Sequence, residues 1–200
     1  MGASTFPRSP LAFVAALLVL TACGSDSTGP GGPGASVAND PAGDAFGSGP
    51  VEWDITALAV NHVSGAVDVE LDFTSNVISP LTGDTANAII VFVDFDLDQD
   101  STTGVASIVD AYRPSGTPTG MGVDCRLDLS TFNADSTANV SCVSGGGTVR
   151  PVYSGKKITV HIPLSVLGGD DGKVNAAAIV GTNAEPTDIA PNNGHLAVNK

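Results

Sequence analysis

The sequence predicts an all-β domain, an antiparallel, jelly-roll-like two-sheet β-sandwich of about eight to ten strands. Three observations point to it. From Asp40 onward apolar and polar residues alternate with a period of two, the signature of a strand with one buried face. The 24 Gly and 13 Pro interrupt the chain often enough to cut its apolar runs to strand length. No segment of about ten residues or more carries an apolar stripe at helical spacing.

The elements follow in order. Residues 55–63 read as a strand, and in 67–73 Val67, Val69, Leu71 and Phe73 face one way while Asp68, Glu70 and Asp72 present an acidic ladder to water. Residues 88–93 are apolar on both faces, which suits a central strand covered on each side. A further strand is expected over 107–113. Then Val123, Cys125, Leu127 and Leu129 alternate with polar neighbours, as do Val140 and Cys142. Residues 149–153, 158–162, 174–181 and 195–199 complete the set.

Composition narrows the function. The formal net charge is −13, so nucleic acid and anionic lipid are poor partners. Only Glu52, Glu70 and Glu185 are glutamates among 21 acidic residues, and aspartate favours turns and hard-cation sites over helices. Three histidines stand apart, and neither HExxH nor GxSxG occurs. His161 falls on the polar face of its strand, where an exposed imidazole is expected.

Ahead of the domain, Arg8 and an apolar run from Leu11 to Leu20 lead into Leu20-Thr21-Ala22-Cys23. This layout is that of a secretory signal. It resembles the bacterial lipoprotein lipobox, with an ordinary cleaved signal and a chance cysteine as the other reading. The resemblance implies a signal peptide over 1–22, lipidation (palmitate and related acyl chains) on Cys23, and an extracytoplasmic protein held at the cell membrane by its N-terminal lipid. Gly24 after the cysteine is similar to lipoproteins sorted to the outer membrane. Residues 24–39, rich in Gly, Ser and Pro, read as a flexible tether, leaving 40–200 as a single domain.

In an oxidising compartment Cys125 and Cys142 can form one disulfide, their strands brought together by the polar loop around Asn133-Ala134-Asp135-Ser136. Two buried free thiols are the alternative.

Asp94, Asp96, Asp98 and Asp100 recur at every second position as a strand runs into a Ser/Thr/Gly loop. An extended backbone would put their carboxylates on one side, a cluster that Ca²⁺, with its six to eight oxygen ligands, would relieve. The loop is not an EF-hand, since the required Gly and bidentate Glu are missing. Asp40, Asp44 and Asp54 are weaker candidates for the same or a second ion. The plain alternative for the loop is an acidic solvated turn with side-chain caps.

Three stretches, DPAGDAFGSGPVEWDITALAV (40–60), VFVDFDLDQDSTTG (91–104), and HIPLSVLGGDDGKVNAAAIVG with PTDIAPNNG (161–181, 186–194), occur in that order. Together they resemble the extracellular β-sandwich modules grouped around the family 9 carbohydrate-binding and DOMON-like domains. The resemblance implies a sandwich that binds sugars, haem or no known ligand. Haem ligation is not expected, because Met121 is the only methionine beyond Met1. A sugar site needs an aromatic platform, for which Trp53 and Tyr112 are the candidates, although a lone Trp in a sandwich is more often core. The expectation is a noncatalytic, surface-tethered module binding glycan or another extracellular polymer. A carboxylate-dependent glycoside hydrolase and a purely structural envelope lipoprotein are the alternatives.

Overall fold

The computed structural model describes residues 1, 35–83, 85–169 and 171–200. Cys23 and most of the tether lie outside the described residues. Along the chain run β1 (Ala35–Asn39), β2 (Ile55–Val63), β3 (Ala66–Phe73), a 3₁₀ turn (Pro80–Thr82), β4 (Ile90–Asp96) and α1 (Ile108–Tyr112). They are followed by β5 (Cys125–Asp128), β6 (Ala138–Cys142), β7 (Gly146–Val149), β8 (Pro151–Ser154), β9 (Lys157–Pro163) and α2 (Leu164–Leu167). The chain closes with β10 (Lys173–Gly181), β11 (Pro186–Ala190) and β12 (Leu196–Asn199).

Two antiparallel sheets result, as the period-two alternation requires. The first has the order β1-β2-β3-β9-β8; the second has the order β11-β10-β4-β5-β6-β7, with β12 beside β11 on the same edge of β10. Leu58, Val60, Val69 and Leu71 of the first sheet meet Val91, Val93, Phe95, Leu127 and Ala178 of the second in one dry core. Burying each such large side chain contributes roughly 1.5–3 kcal/mol. On the outer face of the second sheet Phe92 and Ile179 carry a smaller apolar layer, roofed by Val109 of α1 with Met121 and Val123. β4 is therefore covered on both sides, which explains its unbroken apolar run.

Cys125 and Cys142 face each other across the β5–β6 ladder and are joined by a disulfide. The acidic ladder of β3 is answered from β9, where His161 lies opposite Asp68 and Lys157 opposite Asp72.

The structure corrects four expectations. Twelve strands are present among the described residues, above the expected range. Residues 35–39, assigned to the tether, form β1 on the free edge of β2, because an edge recruits backbone hydrogen bonds whatever the side chains. Residues 107–113 are not a strand: Ser107 caps α1 by accepting from the Val109 N–H, and Asp94 accepts from the Ile108 N–H. Finally, 149–153 is two strands, since the chain changes sheets at Arg150 and Pro151 opens β8 on an edge, where a missing N–H is harmless.

Candidate functional site

The four aspartates after β4 do not converge on one point. Asp94 is fully buried and already answered: Arg126 Nε donates to its Oδ1 at 2.6 Å, while Ser107 Oγ and the Ile108 N–H donate to its Oδ2, each at 2.8 Å. Asp100 turns outward, its Oδ1 accepting from the Thr102 N–H and Oγ1, which hold its carboxyl below the usual range. Asp96 and Asp98 do share a cluster, and their third member is Asp124 of the strand approach to β5, with one oxygen of each within 4.8 Å of the others. Asp124 Oδ2 accepts from the Leu97 N–H at 2.8 Å, and Asp98 Oδ1 accepts from the Asp100 N–H at 2.9 Å. Asp96 is fully buried; its Oδ2 accepts from Asn175 Nδ2, but its Oδ1 has no protein partner. Burial raises its pKa.

A second cluster joins Asp40, Asp44 and Asp188, again with one oxygen of each within 4.8 Å of the others. It lies where the first sheet meets the edge of the second. Asp40 follows β1 and donates its N–H to Thr56 O of β2, Asp44 sits in the turn beyond, and Asp188 is the central residue of β11. Asp54, immediately before β2, donates its charge to the same region through space and accepts from the Gly43 N–H at 2.8 Å. Asp188 Oδ2 accepts from the Ile55 N–H at 2.7 Å, so this carboxylate ties the two sheets. Both oxygens of Asp40, and Oδ1 of Asp54, are buried with no hydrogen-bond partner in the protein. Burial, then the charges of Asp188 and Asp44, push Asp40 up to about 8, against the Asn192 N–H, which favours its charged form; burial likewise pushes Asp188 up to about 7, against two backbone N–H bonds that do the same.

Trp53 is buried at 2 % exposure, its N–H and carbonyl both bonded to Thr187 Oγ1, so it is core and not a platform. Tyr112 is different. At 52 % exposure it closes α1 and overhangs a groove of about 370 Å³ on the outer face of the second sheet. Ile90, Phe92 and Ile108 make its apolar side; Ser130, Asn183 and Glu185 supply hydroxyl, amide and carboxylate. Ser48 donates its N–H to Glu185 at 2.7 Å and its hydroxyl to the same carboxylate, which lowers that acid's pKa.

Three acids of these sites were not singled out from the sequence: Asp124, Asp188 and Glu185. Asp188 had a signal, an acid inside the apolar-flanked run PTDIA. Asp124 and Glu185 carry none beyond their place on a strand face and in a turn.

No family model matches the chain, and no curated protein matches it.

Proposed function

We propose that this protein is a noncatalytic binding module of the bacterial envelope, tethered through a lipidated Cys23, whose ligand is a glycan or a related extracellular polymer. The groove beneath Tyr112 carries the reading. A flat exposed ring beside apolar side chains offers a stacking surface for the apolar face of a pyranose, and the hydroxyl, amide and carboxylate that also line the groove can pair with sugar hydroxyls. Glu185 is the single carboxylate lining this groove among the described residues, whereas glycoside hydrolysis needs two acids flanking one bond. That favours binding over cleavage. The reading also includes a weaker structural calcium ion at Asp96, Asp98 and Asp124, supported by the unpartnered, fully buried Asp96 Oδ1 and weakened by the backbone N–H groups already bonded to Asp98 and Asp124.

A glycan array probed with the full chain tests the ligand class. Retention of a defined glycan set is expected, with affinity falling about tenfold in Tyr112→Ala, the loss typical of one aromatic contact. Absence of any retained glycan, or unchanged binding by Tyr112→Ala, overturns it. For the anchor, Cys23→Ala should abolish metabolic palmitate labelling; equal labelling would refute lipidation at this residue.

A further inference from the structure

We propose that Asp40, Asp44 and Asp188, with Asp54 beside them, form a divalent-cation site, filled by Ca²⁺, that clamps the N-terminal edge of the first sheet to β11 of the second. The observation behind it is independent of the clustering itself. Asp40 is 7 % exposed, and both of its carboxylate oxygens are buried without a formed hydrogen bond, the Asn192 N–H lying only near enough to favour the charged form; Oδ1 of Asp54 is likewise buried and unbonded. A buried carboxylate oxygen left unbonded costs several kcal/mol unless a proton or a cation meets it. Here three acids bring carboxylate oxygens within 4.8 Å of one another, and Asp40 feels the charges of Asp188 and Asp44 and, more weakly, of Asp54. Among the described residues no Lys or Arg is paired with any of the four.

The spacing suits calcium. Oxygens bound at roughly 2.4 Å to one ion can lie no more than about 4.8 Å apart, and the Asp40, Asp44 and Asp188 oxygens fall within 4.8 Å of one another. The ligands are oxygen alone, with neither His nor Cys among them, the set a hard cation takes and zinc or copper does not. Mg²⁺ holds its waters and demands strict octahedral geometry, so it should compete poorly.

The site also explains its surroundings. Asp40 and Asp44 bracket a turn whose chain continues through Phe46, which donates its N–H to Thr187 O, and Ser48, which bonds Glu185. Asn192 Nδ2 donates to Asp44, and Arg113 Nη1 donates to Asn192 O. An ion held here therefore fixes the 40–54 segment against β11 and the 191–194 turn. The proposal stands whether or not the groove binds glycan.

Terbium, used as the probe ion, tests it, because the chain has a single tryptophan and that residue, Trp53, adjoins Asp54. With the full chain, excitation of the indole should produce sensitised terbium emission, displaced by millimolar Ca²⁺. Asp40→Asn and, separately, the exposed-site variant Asp44→Asn should each weaken the sensitised binding about tenfold or more, since affinity follows ligand charge. Asp98→Asn should leave it unchanged. Asn keeps the shape and removes repulsion, and Asp44 lies at the surface, so loss of signal in the Asp44 variant cannot be ascribed to unfolding. Absence of sensitised emission, failure of calcium to displace it, or equal binding by both the Asp40 and Asp44 variants would overturn the site. A failed glycan array bears only on the groove.

Discussion

The loop after β4 and the junction of β1, β2 and β11 both gather aspartates, yet they dispose of the charge in opposite ways. In the loop, Asp94, Asp96, Asp98 and Asp100 are neighbours in sequence and are largely dispersed in space. Arg126 neutralises Asp94, Thr102 bonds Asp100, and backbone N–H groups cap Asp98 and Asp124. At the junction, acids 148 residues apart in the chain, Asp40 and Asp188 at the extremes, are brought together with no basic partner. A run of like charges can relax by pointing its side chains apart. Charges delivered by different strands cannot, because the sheets that carry them are held by their cores.

The two regions also differ in what braces them. Asp124 is next to Cys125, so the loop cluster adjoins a covalent cross-strand link, whereas the junction has only hydrogen bonds such as Asp188 to the Ile55 N–H.

The largest effect is expected from removing the loop's own counter-ion. Arg126→Met would leave Asp94 fully buried and without its cation; breaking such a pair costs about 3 kcal/mol, the lower end of the range because Arg126 is partly exposed. For a domain of this size that is a drop of about 6–12 °C in melting temperature. A loss of about 1 °C or less in calorimetry would mean that Asp94 is not dependent on its partner. Next comes the bridge. Reducing Cys125–Cys142 should destabilise by roughly 3 kcal/mol in the chain-entropy view, with intact mass confirming two protons gained. Because the junction lies elsewhere, reduction should leave the calcium-induced rise in melting temperature intact.

An effect of a different kind concerns pH. The folded pKa values of Asp40 and Asp188, about 8 and about 7, lie above the unfolded value near ~3.9. The folded state then keeps protons that the unfolded chain releases, so metal-free stability falls as pH climbs from ~4 through ~8. Calcium must displace those protons, and its stabilising effect should therefore grow from pH ~6 to pH ~8. A calcium response that shrinks over that interval would contradict the junction's charge state. The smallest effect belongs to Asp100→Asn: an exposed side chain bonded only to Thr102 should leave the melting temperature unchanged within error.

Much of the fold was legible because it is written in local alternation. Val67 to Phe73 and Cys125 to Leu129 show one apolar face each, and β4 shows two because α1 roofs it. What alternation misses is structure made by main chain alone. β1 and β11 are edge strands with small or polar residues, held by ladders to β2 and β10. α1, a helix of five residues, is too short to display a 3.6 period and depends on the Ser107 cap and the buried Asp94. The candidate sites divide in the same manner. Asp40, Asp44 and Asp54 could be noticed in one short stretch, but Asp188 reaches them only through the sheet-to-sheet contact of β11 with β2. Tyr112 becomes a groove wall because α1 lifts it clear of the sheet, a position that its neighbours in sequence do not announce.

Melting temperatures in excess calcium and in EDTA, measured side by side for the full wild-type chain, Asp40→Asn and Asp98→Asn, address the difference between the two clusters directly. Calcium at about a hundred times Kd should add roughly 2.7 kcal/mol to the wild type for one site that binds only the folded state. Most of that rise should vanish in Asp40→Asn, whose EDTA baseline should equal or exceed the wild type's because repulsion is relieved, and most should persist in Asp98→Asn. A full rise in Asp40→Asn, or its disappearance in Asp98→Asn alone, would show that the local run and not the inter-sheet junction governs the response to the ion.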